Sequence, residues 1–266
     1  MRIIALLGIR NEELYLERCL SHLKENGIEI CVIDNDSTDR SMDIVRSFEP
    51  QCVVRIERMP FDGFYDWVGI LKKKMELASS MDADWFIHHD GDEIREAPWP
   101  GRTLKQGIEE VDRMGYNAID FDEFVFLPCI EDDHGYEGLD YVREMRYYYH
   151  FLPKPLHRVN AWKNTGTAVD LVPFGGHRAE FEGRRIFPEN FILRHYIGLS
   201  KEQLIQKYTG RTYSREEVEK RRWHGKRAFF KAEDLILPSR SELKKVSADG
   251  LWDTSDTWAK HKFFGE

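Results

Sequence analysis

The sequence predicts an α/β fold with a mostly parallel sheet flanked by helices. Short apolar runs alternate with amphipathic stretches through the first half of the 266-residue chain, a pattern typical of consecutive strand-helix-strand units. Several of these runs are almost continuously apolar, as expected for strands that are buried on both faces. Four such units fall within residues 1–93, which indicates a nucleotide-binding half of the fold.

Composition and charge limit the classes of protein that this chain can represent. A hydrophobic content of 41% with 32% charged residues is typical of a globular protein and excludes a disordered or fibrous chain. The net charge of -8 argues against a general nucleic-acid binder. The first apolar run, residues 3–9, is far shorter than the ~20 residues of a membrane span. The four cysteines have no metal-ligand spacing, so we expect free thiols and a cytoplasmic location.

The elements of the first half follow from apolar periodicity and from turn residues. Asn11 is predicted to cap the first helix, and Asp36-Ser37-Thr38 is predicted to start the second. Strands are predicted at 2–9, 29–34, 52–56 and 84–89, with a third helix over 67–78. The fourth strand leads directly into the turn Asp90-Gly91-Asp92-Glu93.

The second half is less regular. A helix around residues 104–111 and an alternating strand over 117–126 precede an acidic loop at 131–134 and an aromatic cluster at 147–151, which we interpret as a binding surface. A late strand is predicted at 191–196, and Ser200 with Gln203 is predicted to form a capping box for the next helix. The segment 207–231 is rich in Lys and Arg, and a solvated helix face is its favoured interpretation.

Pairs of aspartates separated by one residue are candidate metal ligands. Four occur in the chain, at 34/36, 82/84, 90/92 and 120/122, whereas chance alone gives about two, so position must select among them. The pairs at 34/36 and 90/92 follow predicted parallel strands, where ligands bind in open α/β sheets. Carboxylates beside Gly91 suit a hard cation, Mn²⁺ or Mg²⁺, bound together with phosphates. The alternative is a solvated Asp-Gly turn.

Three segments together resemble a known family. They are Leu7-Gly8-Ile9-Arg10-Asn11-Glu12, Val32-Ile33-Asp34-Asn35-Asp36-Ser37-Thr38-Asp39 and Asp90-Gly91-Asp92-Glu93. In this order they are similar to family-2 glycosyltransferases of the GT-A fold. The resemblance covers residues 1–95 well and is weaker from 117 to 200. It implies a metal-dependent transfer of a sugar from a nucleotide-diphosphate donor to an acceptor hydroxyl, with inversion.

The resemblance also implies roles for individual residues. Ile9, Arg10, Asn11 and Glu12 would line the nucleotide, Asp34 would accept a hydrogen bond from its base, and Asp36 would support the ribose. Asp90 and Gly91 would contact the donor, while Asp92 would coordinate Mn²⁺ or Mg²⁺ with Asp90 beside it. His195 is the expected third metal ligand, against the alternative of an ordinary strand histidine.

An inverting transfer needs a general base for the acceptor hydroxyl. The family places this base between the carboxylate turn and the late histidine, which leaves Asp170, His177 and Glu180 as candidates. Asp170 and His177 rank equally. Asp170 lies in a strand-like segment, and His177 follows Gly175-Gly176, where missing side chains leave room for a sugar.

The expected organisation is a GT-A domain over 1–200, with a nucleotide-binding half at 1–116 and an acceptor-side half at 117–200, followed by a helical extension at 201–266. The expected partners are a nucleotide-sugar donor and a glycan or other hydroxyl acceptor, with no nucleic acid and at most peripheral membrane association. Two alternatives stay open: a nucleotidyl or phosphoryl transferase, and a non-catalytic module that binds sugar nucleotides or glycans. The sequence does not fix the donor base, the acceptor or the oligomeric state.

Overall fold

A computed structural model describes residues 1–153, 158–221, 223–247 and 250–264. The chain divides into two compact units, each assembled from separated stretches. Unit 1 comprises Met1–Phe61, Trp67–Phe121 and His157–Leu193, and unit 2 comprises Asp62–Asp66, Asp122–Leu156 and Arg194–Glu266. The domain boundary expected at residue 200 stays a prediction.

Unit 1 contains a six-stranded sheet in the order β3-β2-β1-β4-β9-β6 within the described residues. Its strands are β1 (Ile3–Ile9), β2 (Glu29–Asp34), β3 (Val53–Arg58), β4 (Trp85–Asp90), β6 (Ala118–Ile119) and β9 (Ala161–Lys163). The first four are mutually parallel, and β9 runs antiparallel to β4 and to β6. A short strand, β5 (Glu93–Glu96), follows β4 after a tight turn. The predicted mostly parallel sheet is therefore confirmed.

Four helices belong to unit 1: α1 (Glu13–Glu25), α2 (Ser41–Ser47), α3 (Trp67–Ser80) and α4 (Leu104–Arg113). Apolar faces of α1 and α4 pack with β1 and β2 in one aliphatic core, to which Leu16, Leu20, Ile108 and Val32 belong. Burial of such side chains contributes about 1.5–3 kcal/mol each. At the start of α4 Thr103 and Gln106 form a reciprocal capping box.

Two predicted helix starts are wrong, and both errors come from left-handed backbone. Asn11 does not cap α1, because it has a φ of 55° and its Oδ1 accepts a hydrogen bond from Thr38 N at 2.7 Å. The second helix begins at Ser41 and not at residues 36–38. Asp36 has a φ of 53°, which is incompatible with a right-handed helix at that position. Both residues therefore shape the loops beyond β1 and β2.

Unit 2 is built around an antiparallel sheet in which β8 (Tyr147–Phe151) pairs with β7 (Phe121–Phe126) and with β11 (Lys244–Lys245). The late strand β10 (Phe191–Tyr196) lies next to β7. The strand predicted over 117–126 is interrupted at Asp120, which separates β6 from β7. Unit 2 also contains the α-helices α5 (Tyr141–Glu144) and α6 (Lys201–Thr209).

The start of α6 matches half of the predicted capping box. Ser200 Oγ accepts a hydrogen bond from Gln203 N at 3.0 Å, but Gln203 Oε1 accepts from Leu199 N instead of Ser200 N. Beyond Thr209 the described part of the predicted helical extension consists of short 3₁₀ and π turns and the two-residue strand β11. Of the basic residues in 207–231, Arg222 lies outside the described residues.

Two further expectations concern the chain as a whole. All four cysteines are described, and each is a buried free thiol, as predicted. Burial raises the pKa of Cys31 to about 11 and that of Cys129 to about 12. Among the described residues no helix has the length and apolar character required to cross a bilayer.

Candidate functional site

The carboxyl ends of β1, β2 and β4 meet at one edge of the unit 1 sheet. In the strand register Ile9 lies opposite Asp34, and Gly8 lies opposite Asp90. Because β1 separates β2 from β4, the two predicted aspartate pairs follow strands on either side of it. This edge is where open α/β sheets bind their ligands. The structure thus brings the residues predicted to line the donor to one edge of unit 1.

Arg10 ties together the loops beyond β1 and β2. Its Nη1 donates hydrogen bonds to Asn35 O at 2.5 Å and to Asp36 O at 2.6 Å. Its guanidinium lies 3.4 Å from the centre of the Phe61 ring, a cation–π contact. Asn11 N donates to Ser37 Oγ at 3.1 Å and so joins the same two loops. These contacts give Arg10 and Asn11 an internal structural role.

Asp34 and Asp36 have different surroundings. Asp34 is buried, and its Oδ1 accepts a hydrogen bond from Ser37 N at 3.0 Å. Asp36 accepts from Arg58 Nε at 2.6 Å and from Phe61 N at 3.0 Å. The hydrogen bond from Arg58, followed by that from Phe61 N, lowers the pKa of the Asp36 carboxyl. Asp36 is consequently held as an ionised group within this loop.

The turn after β4 gathers several carboxylates. Asp90 N donates to Glu93 Oε2 at 3.0 Å, and both Asp92 and Glu93 are buried. A Cβ placed on Gly91 would lie 3.5 Å from Glu12 Cβ, so the turn packs beside the start of α1. After burial, the charges of Glu93, Asp92, Asp90 and Glu12 raise the pKa of the nearby Cys19 thiol. Negative potential is therefore concentrated around this turn.

Two buried cations offset part of that charge. The Lys74 side chain is fully buried, and Lys74 Nζ lies 3.2 Å from His88 Nδ1, 2.9 Å from His89 O and 3.4 Å from Asp90 Oδ1. Arg95 donates to Glu93 Oε2 at 2.6 Å and to His89 Nδ1 at 3.1 Å.

The imidazoles beside these cations are buried and neutral. Desolvation holds the pKa values of His88 and His89 well below the ordinary range, and the neighbouring cations lower them further. Sequence reasoning missed Lys74 and Arg95 as site residues. The available signal was a lysine on the apolar stripe that marks α3.

The glycine-rich segment before His177 packs on β4. Trp67 Nε1 donates to Gly175 O, and Asn160 Nδ2 donates to Gly176 O, both at 2.8 Å. Gly176 has a φ of +85°, and a Cβ there would lie 2.9 Å from His88 Cε1. Only glycine fits this position. The exposed His177 is thereby presented from an anchored segment next to the histidine that contacts Lys74.

The other two candidate bases lie in unit 1 and pair through their backbones. Asp170 N donates to Glu180 O at 2.8 Å, and Glu180 N donates to Asp170 O at 2.9 Å. The Asp170 side chain is exposed and its Oδ1 accepts from Val172 N. The Glu180 carboxylate is held between Arg178 and Arg184, with 3.1 Å to Arg184 Nη1. These ion pairs make Glu180 the least available proton acceptor of the three.

His195 belongs to unit 2, where its Nδ1 lies 2.6 Å from Oε1 of the buried Glu123. A carboxylate on one ring nitrogen is the usual arrangement of a histidine that binds metal through the other. Within the described ranges no three His, Cys, Asp or Glu residues converge as a metal site. The turn residues Asp90 and Asp92 offer the hard oxygen ligands that Mg²⁺ and Mn²⁺ prefer, and donor phosphates supply further ones. The metal role of His195 stays a prediction.

The fold and this edge define a parallel-sheet α/β protein with a carboxylate-lined candidate site. Comparison with known proteins finds a match over part of the chain: residues 6–64 match Glycosyl transferase family 2. An uncharacterized glycosyltransferase of Rickettsia prowazekii is 25% identical over 232 residues, which cover 82% of this chain and 67% of that protein. A Rickettsia typhi counterpart is 24% identical over 221 residues, with the same shares covered. These matches support the resemblance to family-2 glycosyltransferases.

The solved structures that match this chain have low sequence identity to it. A crystal structure of S. aureus TarS 1-349 is 11% identical, with a TM-score of 0.43, and the match covers 74% of this chain and 60% of that one. The same protein in complex with UDP is 12% identical, with a TM-score of 0.43 and coverage of 77% and 63%. The chain therefore spans less than two thirds of the length of these structures.

Proposed function

We propose that this protein transfers a sugar from a nucleotide-diphosphate donor to an acceptor hydroxyl, with inversion at the anomeric carbon. The observation that carries the proposal is the edge formed by β2, β1 and β4, where Asp34 and the turn Asp90-Gly91-Asp92 follow strands on either side of β1. The family match begins within β1, includes β2 and ends at residue 64. The Rickettsia relatives carry the name glycosyltransferase.

In this proposal the donor occupies the loops beyond β1 and β2. Asp34 accepts a hydrogen bond from the base, and the segment from Ile9 to Glu12 forms the wall beside it. Arg10 acts by holding the two loops together, because its guanidinium is already bonded to Asn35 O and Asp36 O. Asp36, fixed by Arg58, supports the ribose through the same loop.

A divalent cation is part of the proposal because the residues at the carboxylate turn suit it. Asp90 and Asp92 would hold Mn²⁺ or Mg²⁺ together with the donor phosphates. When bound, the cation neutralises charge that develops on the departing diphosphate. The carboxylates of Glu12, Asp90, Asp92 and Glu93 outnumber the cations of Lys74 and Arg95, so a net negative charge faces an incoming cation.

His177 is our choice for the general base. In the transfer, the acceptor oxygen forms a bond to the anomeric carbon while the bond to the diphosphate oxygen breaks, and the base takes the hydroxyl proton. His177 is exposed and follows a segment fixed by Trp67 and Asn160. Asp170 is the second candidate, and Glu180 ranks last because two arginines hold its carboxylate.

The first experiment is a donor screen. Purified protein is heated with UDP-, GDP-, dTDP- or CMP-sugars, with Mn²⁺ or with EDTA. A donor at ~100 times its Kd stabilises the fold by about 2.7 kcal/mol and raises the melting temperature measurably. We expect stabilisation by one base class, only with metal, and slow release of the nucleoside diphosphate.

Two results would contradict a glycosyltransferase. In a parallel assay with a nucleoside triphosphate and a sugar phosphate, release of pyrophosphate identifies a nucleotidyl transferase. Donor binding without hydrolysis or transfer to a broad set of acceptors identifies a binding module.

The free state of all four thiols suits the reducing cytoplasm, which is the location that we propose.

A further inference from the structure

Lys74 is a fully buried lysine whose role neither the sequence nor the family match explains. It lies in the middle of α3, with its side chain 0% exposed. A Cβ on Gly8 of β1 would lie 3.5 Å from Lys74 Cε, so the lysine stem runs against the β1 backbone. Removing an ammonium group from water costs several kcal/mol unless it is paired. Such a group is retained only where its partners compensate for the loss of water.

The partners of Lys74 suit an ammonium group. A lysine ammonium has three donors and no acceptor. Its Nζ has three acceptors within reach: His88 Nδ1 at 3.2 Å, His89 O at 2.9 Å and Asp90 Oδ1 at 3.4 Å. All three belong to the last three residues of β4. One cation therefore fixes the strand end from which the carboxylate turn begins.

The contact with Asp90 links this buried cation to the ligand edge. Asp90 is the last residue of β4 and its side chain is one third exposed, whereas the ammonium behind it is not exposed at all. One oxygen of the carboxylate thus faces Lys74 from within the protein. Rotation of the carboxylate away from this orientation breaks a charge-assisted contact inside the fold.

We propose that Lys74 is a positioning residue of the ligand site, which orients the Asp90 carboxylate and the end of β4 for binding of a divalent cation with a nucleoside diphosphate. The inference rests on the proposed function of this edge. Lys74 does not touch the nucleotide in this proposal; it acts through Asp90.

The test measures binding of Mn²⁺ with UDP, and in parallel with GDP, by isothermal titration calorimetry. Wild type is compared with Lys74→Met, Asp90→Asn and the double variant. Lys72→Met is the matched control, since Lys72 is an exposed lysine of the same helix. Loss of a group that orients a metal-binding carboxylate typically weakens affinity 10–100-fold. We expect Lys74→Met to weaken binding by about tenfold or more and Lys72→Met to leave it unchanged.

The double variant separates positioning from general support of the fold. If Lys74 acts through Asp90, the double variant binds as Asp90→Asn does, within about threefold. If Lys74→Met alone fails to fold, the comparison of the double variant with Asp90→Asn still tests the proposal. In the double variant both charges are removed, so no unpaired Asp90 carboxylate is left behind.

Three results overturn the proposal. The first is Lys74→Met binding as tightly as Lys72→Met with only a lower melting temperature. The second is a double variant that binds at least ~10-fold more weakly than Asp90→Asn, which assigns Lys74 a role independent of Asp90. The third is absence of Mn²⁺-dependent nucleotide binding by wild type, which overturns the proposed function as well.

Discussion

The two units differ in what fills their interiors. Unit 1 combines an aliphatic sheet core with a few buried charged and imidazole groups beneath one turn, such as Lys74 and Arg95. Unit 2 is held by stacked aromatic rings instead. Three of its stacks have ring centroids 4.1–4.6 Å apart and pair Tyr149 with Trp258, Phe124 with Trp252, and Phe126 with Tyr196.

This difference indicates that the buried charges of unit 1 serve a site, whereas the aromatic rings of unit 2 hold the fold together. Buried charges are costly in a protein interior, so their concentration at the end of β4 indicates a site whose geometry matters. Aromatic stacking in unit 2 joins the C-terminal stretch to β8, where Trp258 N donates to His150 O and Leu152 N donates to Trp258 O, both at 2.9 Å. The aromatic unit thus shows how the C-terminal stretch is held, whereas the charged turn is the candidate ligand site.

The sharpest test of this contrast is Asp92→Asn. We expect transfer to fall by about a thousandfold or more, about 4 kcal/mol, because a charged oxygen ligand is replaced by a neutral one. The melting temperature should change little, since the amide has the same shape. Activity and metal-dependent donor binding are measured beside Asp43→Asn, an exposed aspartate of α2. Full activity of Asp92→Asn with Mn²⁺ would contradict the proposal that this turn binds the metal.

Arg95→Met tests whether the buried charges under the turn are compensated. The substitution leaves the buried Glu93 carboxylate without its 2.6 Å partner, so we expect the free energy of unfolding to fall by about 3 kcal/mol. Urea denaturation measures the change, with the exposed Arg102→Met as a control. Adding Glu93→Gln should restore part of the loss. A decrease similar to that of the control would show that the pair is not important for stability.

His177→Ala examines the proposed base. We expect kcat to fall by about a hundredfold, while the Kd for the donor stays the same, because proton transfer is lost and donor contacts are retained. Asp170→Asn and Glu180→Gln are measured in parallel and should have smaller effects. If Asp170→Asn shows the larger loss, the base is Asp170 and the exposed histidine is structural.

The smallest effect is expected in the aromatic unit. A double-mutant cycle with Tyr149→Leu and Trp258→Leu should give a coupling energy of about 1 kcal/mol, because the rings stack at 4.1 Å with an interplanar angle of 17°. Urea denaturation of the four proteins supplies the values. The control cycle pairs Tyr149→Leu with Leu251→Ala at an exposed site, and its changes in the free energy of unfolding should be additive. Additive changes for Tyr149→Leu with Trp258→Leu would mean that the stack adds nothing beyond burial.

Much of unit 1 could be predicted from local pattern. Apolar runs give β2 with its exact bounds and β1 to within one residue, because both are buried on nearly every position. The position of Asp34 and Asp90 at one edge follows from parallel pairing alone. The loop details could not be predicted, since Asn11 and Asp36 adopt left-handed backbone that depends on bonds to distant residues.

Long-range contacts explain what the sequence did not reveal. Lys74 lies 16 residues before Asp90 in the sequence, and its ammonium reaches that carboxylate only because α3 and the end of β4 come together in the fold. The rings of the C-terminal stretch likewise find partners more than one hundred residues away, as Tyr149 and Trp258 do. Periodicity describes each element by itself and carries no information on such pairings.

The short stretch Asp62–Asp66 belongs to unit 2 although both flanking stretches belong to unit 1. Tyr65 N donates to Thr212 O at 2.7 Å, and the Tyr65 ring meets Tyr213 edge to face. A fragment that ends near residue 200 would therefore lack Thr212 and Tyr213, and the loop Asp62–Asp66 would lose the contacts that Tyr65 makes with them. Separately expressed pieces of this protein should keep Asp62–Asp66 together with the C-terminal stretch. Biochemical work should therefore start from the whole 266-residue chain.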